Sequence, residues 1–131
     1  MKSLTPARLL YLTYFILIGG PLFVLATILC CIVVIIASYV GLPASFISKT
    51  TKAWSWCCLA VSLCRVTVRG REHLPSSDAP CVVVANHQSA YDIFVLNAYI
   101  GIPFKWVMKQ ELRSIPMVGK ACEAAHFIFV D

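Results

Sequence analysis

The dominant pattern in the chain is a long apolar block that carries no charge. From Leu9 to Ser48, forty residues pass without an Asp, Glu, Lys, Arg or His. A bilayer core takes about 20 helical residues, so this block predicts a membrane segment on length alone. Gly19-Gly20-Pro21 interrupts it close to its N-terminal edge, which predicts a break there. The expected layout is one span of about Leu22 to Val40, with Leu9 to Ile18 dipping in or lying tilted before the break. A helical hairpin is the alternative. Gly41-Leu42-Pro43 closes the block, giving a membrane-anchoring segment over residues 1–48. Residues 49–64 follow with twelve uncharged positions between Lys52 and Arg65. Trp54 and Trp56 next to Lys52 fit an interfacial or second membrane helix, and an ordinary core helix fits equally well.

Beyond Arg65 the period changes. Arg65-Val66-Thr67-Val68-Arg69 alternates and predicts a first strand, closed by Gly70. His73 to Pro80 reads as a polar loop with His73 in solvent. Cys81 to Ala85 is an apolar, β-branched run that predicts a buried strand. Ile93 to Ile100 predicts a short helix stopped by Gly101-Ile102-Pro103. Phe104 to Met108 predicts a third strand. Ser114 with Pro116 predicts the capped start of another helix, which Gly119 interrupts or ends. Phe127 to Val130 predicts a fourth strand. The order β-loop-β-α-β-α-β makes residues 65–131 an α/β unit behind N-terminal membrane helices.

Charge sharpens this division. Residues 1–71 hold seven Lys and Arg and no acid, while residues 72–131 hold four basic and six acidic side chains. Basic residues beside apolar segments favour the cytoplasmic side and anionic headgroups, so an integral membrane protein with its α/β part on the cytoplasmic face is expected. The charges are too dispersed for a nucleic-acid partner. A secretory signal is a poor match, because its apolar region runs only about 7–15 residues. The seven cysteines form no CxxC pair and predict buried, reduced packing thiols. No metal or cofactor is expected.

The candidate chemistry sits in Asn86-His87-Gln88-Ser89-Ala90-Tyr91-Asp92, directly behind the Cys81–Ala85 run. His can take a proton near neutral pH, and a carboxylate on its other ring nitrogen fixes the tautomer and stabilises the imidazolium. Five helical steps would leave the two side chains about 140° apart, so pairing requires a bend between them, as at a strand-to-helix turn. Ser89 could cap the helix that follows. Ser89 as a covalent nucleophile is an alternative, but it lacks the Gly-flanked elbow that exposes such a Ser. His126, before the last expected strand, reads as structural.

NHQSAYD followed by FKWVMKQEL, IPMVG and FIFVD resembles the 1-acylglycerol-3-phosphate acyltransferases, from about Arg65 to Asp131, with a membrane segment in front as in that family. The resemblance implies the first part of a glycerol-3-phosphate-acyltransferase-like α/β domain, with His87 as base and Asp92 as its orienting partner. It implies an acyl-CoA or acyl carrier protein thioester as donor and lysophosphatidic acid as acceptor. Lys109, in the KQEL match, and Lys105 and Arg113 are the candidate phosphate contacts. FIFVD resembles the strand that leads to a phosphate-binding Arg in the family, but the chain stops before that residue, and the later Glu-Gly-Thr-Arg block is absent. The expectation is a C-terminally truncated chain that alone lacks sustained turnover. Acylation of glycerol 3-phosphate or another lysophospholipid is the neighbouring reading. A non-catalytic membrane protein with a structural His–Asp pair is the other.

Overall fold

The computed structural model describes residues 5–76 and 79–131. Its first element is a single helix of 34 residues, Pro6–Tyr39, long and apolar enough to cross a membrane. The helix consists of α1 (Pro6–Tyr14), a π turn (Phe15–Gly19) and α2 (Gly20–Tyr39). The break expected at Gly19-Gly20-Pro21 does not occur. Proline has no N–H, and its ring clashes with the carbonyl four residues back in a regular helix. A π turn widens the coil at that point, with the Gly20 N–H reaching Phe15 O five residues back. Gly20 permits the close approach, since a Cβ there would lie 2.9 Å from Phe15 O.

A hairpin exists, but one helix later than the expected break. α3 (Ala44–Val61) folds back along the long helix. Trp54 Nε1 donates to Thr27 Oγ1 at 3.1 Å and the Tyr14 hydroxyl donates to Val61 O at 2.9 Å, so the two run antiparallel. Leu10, Ile16, Leu17, Leu25 and Leu29 point outward from this pair. The opposite face of α2 is covered. Cys31, Val34 and Ala37 pack with Ile47 of α3 and with Ala121 and Ala125 from the chain's C-terminal part. The C-terminal half of α2 thus lies against protein on one side, whereas a span from Leu22 to Val40 was expected in lipid.

The second half begins with a 3-10 turn at Arg71–His73, which holds His73, and residues 77 and 78 of the expected loop lie outside the described residues. α4 (Tyr91–Tyr99) packs on α3, forming a second core of Cys58, Leu59, Phe94 and Ala98. Phe94 sits edge-on to Phe23, Trp54 and Tyr91, with centroids 5.3, 5.1 and 6.0 Å away. Next come β1 (Val107–Lys109), a 3-10 turn (Gln110–Ser114), α5 (Val118–Ala124) and β2 (Ile128–Val130). The strands pair in parallel with Met108 opposite Phe129, so this stretch is a small β-α-β unit.

Two of the four expected strands are therefore present among the described residues. Arg65–Arg69 and Cys81–Ala85 carry no ladder, and Val82 and Val84 are each 89% exposed instead of buried. Alternating or β-branched residues favour an extended backbone, but a strand needs a neighbour for its N–H and C=O groups. The architecture is mostly helical with a two-stranded parallel sheet. The cysteines are free thiols, but only Cys31 and Cys58 are buried. Cys57, Cys64 and Cys81 are exposed because they fall on an outward helix face or on unpaired chain.

Ser114 does not cap the next helix. Its hydroxyl donates to Glu111 O at 2.7 Å and closes the 3-10 turn, and α5 starts only at Val118 after Met117 adopts φ 63°. Gly119 lies inside α5 instead of ending it, where a Cβ would stand 2.0 Å from Arg113 O. That atom is backbone and cannot swing aside. Gly119→Ala should destabilise the α5 region by roughly 1–3 kcal/mol, as overpacking does, lowering the thermal midpoint in detergent. An unchanged midpoint would show that the 3-10 turn yields freely.

Candidate active site

The turn between the extended Cys81–Ala85 segment and α4 is held by its own side chains. Asp92 Oδ2 accepts the Gln88 N–H at 2.7 Å and the Ser89 N–H at 2.8 Å. Ser89 Oγ accepts the Tyr91 N–H at 3.2 Å. Ser89 and Asp92 thus form a reciprocal cap, the Ser serving the first turn and the acid reaching back to the Ser amide. This bends the chain enough for the side chains at 87 and 92 to meet. His87 Nδ1 lies 3.3 Å from the same Asp92 Oδ2.

The electrostatics follow from these contacts. The Ser89 amide, then the Gln88 amide, then His87, hold the Asp92 carboxyl below its ordinary value of 3.8. Asp92 is therefore ionised, so His87 presents Nδ1–H to it and leaves Nε2 as the basic nitrogen. The His87 side chain is 66% exposed. Because folding lowers the Asp92 pKa, its support for the turn is fully present above about pH 4 and is lost as pH falls through the lower folded value. Carbon-detected NMR of the Asp92 carboxyl should give a midpoint below that of a model peptide. A midpoint at or above 3.8 would mean that the two amide bonds are not formed in solution.

Beside the pair lies a largely apolar cleft of about 1050 Å³. Leu96, Ile100, Phe104, Trp106, Met108 and Phe127 contribute to its walls, and His87 and Asp92 line it too. The three candidate cations are placed differently from one another. Lys109 lines the cleft, is exposed, and makes no ion pair among the described residues. Lys105 also lines it, but its ammonium donates to Ala125 O at 2.6 Å at the C-terminal end of α5, where a cation complements the helix dipole. Arg113 pairs with Glu123 and stands 5.7 Å over the Phe129 ring, away from the cleft. His73 lies 3.5 Å from Glu72 on the surface, and His126 is exposed at a positive-φ position after α5.

Side chains that no sequence motif marks dock α4 onto its surroundings. Trp56 Nε1 donates to Ala98 O at 3.2 Å, Arg71 donates to Tyr99 O at 2.9 Å, and Asn97 bonds into α3. The available signal was Asn97 itself, the one amide in the otherwise apolar run Ile93–Ile100.

Residues 65–131 match the Acyltransferase family. A 1-acyl-sn-glycerol-3-phosphate acyltransferase of Chlamydomonas reinhardtii is 33% identical over 112 residues, covering 85% of this chain and 32% of the relative. One from Pseudomonas aeruginosa is 35% identical over 83 residues, covering 59% and 31%. The human 1-acyl-sn-glycerol-3-phosphate acyltransferase alpha is 40% identical over 67 residues, covering 51% and 23%. The chain spans about a third or less of the length of these relatives. No solved structure matches.

Proposed function

The chain belongs to the acyltransferase family, and from that premise we propose that it carries the proton-transfer centre of an enzyme acylating 1-acylglycerol 3-phosphate to phosphatidic acid. The observation that supports this best is the His87–Asp92 pair, built into a turn and opening on an apolar cleft. In this reading the acceptor's free hydroxyl gives its proton to His87 Nε2 as its oxygen attacks the thioester carbonyl. The tetrahedral intermediate collapses, the C–S bond breaks, and the imidazolium returns its proton to the departing thiolate. Asp92 stays ionised throughout and stabilises the imidazolium. No side chain of the protein is acylated, and Ser89 has a different task, since its oxygen holds the turn.

The donor is a thioester of coenzyme A or acyl carrier protein, whose acyl chain suits the apolar walls of the cleft. Lys109 is the cation best placed for the acceptor phosphate, and Lys105 would first have to leave Ala125 O. The outward face of Pro6–Tyr39 supplies the membrane contact, and the basic residues of the first half favour the cytoplasmic side. Protein expressed from its natural gene should remain with membranes through alkaline carbonate washing. Release into the supernatant would contradict bilayer insertion.

The test of function is an assay of protein expressed from its natural gene, with an acyl thioester and either lysophosphatidic acid or glycerol 3-phosphate. Phosphatidic acid from the first acceptor is expected. Acylation of glycerol 3-phosphate alone would move the protein to the neighbouring activity, and transfer to neither would leave the pair a structural one.

A further inference from the structure

The α3–α4 interface is largely apolar, with two polar contacts among the described residues: Trp56 Nε1 donates to Ala98 O at 3.2 Å, and the Asn97 side chain bonds to the preceding turn of α3. Cys58 and Leu59 meet Phe94 and Ala98, and Trp54 packs edge-on against Phe94. Into this surface Asn97 sends its amide nitrogen, donating to Thr51 O and to Ser55 Oγ, both at 2.8 Å. Ser55 is wholly buried, at 0% exposure. The Thr51 carbonyl can only accept, so the orientation of the Asn97 amide is fixed. Thr51 and Ser55 are one turn apart on α3, and Asn97 grips that turn alone.

An apolar helix pair opposes sliding only weakly, since a shift of one turn exchanges one greasy contact for another. A polar contact to a buried hydroxyl opposes it more, because a shifted register strands Ser55 without its partner, even though Asn97 itself is half-buried on the cleft wall. We infer that Asn97 is a positioning residue, locking α4 onto α3 in one register and thereby setting the height of the His87–Asp92 turn relative to the lipid-facing helix. This rests on the acyl-transfer reading above. Asp92 precedes Asn97 by five residues, about 7.5 Å along the axis of α4. α3 is in turn tied to α2 by the Trp54–Thr27 bond of 3.1 Å. Contact therefore runs without a gap from the outward apolar face of the long helix to the carboxylate beside His87.

The consequence differs between acceptors. A long-chain lysophosphatidic acid anchored in a bilayer presents its hydroxyl at a set depth, and His87 must stand at that depth to reach it. A short-chain lysophosphatidic acid dissolved in water approaches the turn wherever it stands.

The experiment uses protein expressed from its natural gene, reconstituted in phosphatidylcholine vesicles and assayed on these two acceptors. In Asn97→Leu, which keeps the interface filled, kcat/KM on the anchored acceptor should fall at least tenfold more than on the soluble one. Ser55→Ala should show the same bias at several-fold. The exchange Asn97→Ser with Ser55→Asn, which puts a donor–acceptor pair back across the interface, should recover most of the ratio. Equal losses on the two acceptors in both single variants, or no loss in either, would overturn the inference. Transfer by the wild type to neither acceptor would sink the acyl-transfer reading itself, and this inference with it.

Discussion

His87→Ala, in the protein expressed from its natural gene, should lower acyl transfer by roughly 10²–10⁴-fold, the range supplied by a positioned general base. The loss should appear in kcat, because the proton moves only in the transition state and the acceptor's acyl tail and phosphate are held elsewhere. Fold and membrane retention should survive. The His87 side chain is two-thirds exposed, its one ion-pair contact among the described residues is with Asp92, and the carboxylate keeps its two backbone donors without it. The check is a rate measurement at equal amounts of carbonate-resistant protein. Near-normal kcat would remove His87 from the chemistry, and loss of membrane retention would show that it serves the fold.

Asp92→Asn should be the next largest effect, again roughly 10²–10⁴-fold. The structure makes this variant informative, because the three contacts of Asp92 all fall on Oδ2: the Gln88 amide, the Ser89 amide and His87 Nδ1. An Asn can place its amide oxygen there and satisfy the same donors, so the turn and the His87 tautomer are kept. What it lacks is the charge that stabilises the imidazolium. Asp92→Ala, by contrast, should also loosen the turn and lower the thermal midpoint. Equal midpoints for wild type and Asp92→Asn, with activity lost, would separate the electrostatic role from the structural one. Full activity in Asp92→Asn would show that the negative charge is not used.

The sequence made some of these features legible and hid others, for physical reasons. His87 and Asp92 could be paired in advance because they sit five residues apart behind an apolar run, in a segment that resembles a known motif. The Ser89–Asp92 cap that bends the chain between them is visible only in the structure. The long uncharged block likewise announces an apolar helix, though not its bounds: the helix runs from Pro6 to Tyr39, and the block's last residues open α3. The Gly-Gly-Pro motif misled, because a π turn lets a proline pass through a helix without ending it. Residues 65–69 and 81–85 have strand composition, but whether such a segment becomes a strand depends on a neighbour distant in the chain. Gly119 resembled a helix stop. Its reason is a contact with Arg113 O that no local pattern reveals. Lys105 and Arg113 share the charge needed for phosphate contact, yet one is spent on the end of α5 and the other on Glu123. Asn97 stood out in its apolar run, but nothing nearby pointed to Ser55, 42 residues earlier.

Direct transfer to a hydroxyl activated by His87 is the central claim, and intact-mass measurement tests it most simply. Wild-type protein is given acyl thioester alone, then thioester with lysophosphatidic acid, and protein and lipid are both weighed. The expected result is no acyl adduct on the protein under either condition, with phosphatidic acid formed only when the acceptor is present. An acyl adduct that forms with thioester alone and disappears as phosphatidic acid appears would contradict it, and would make a side chain such as Ser89 the nucleophile.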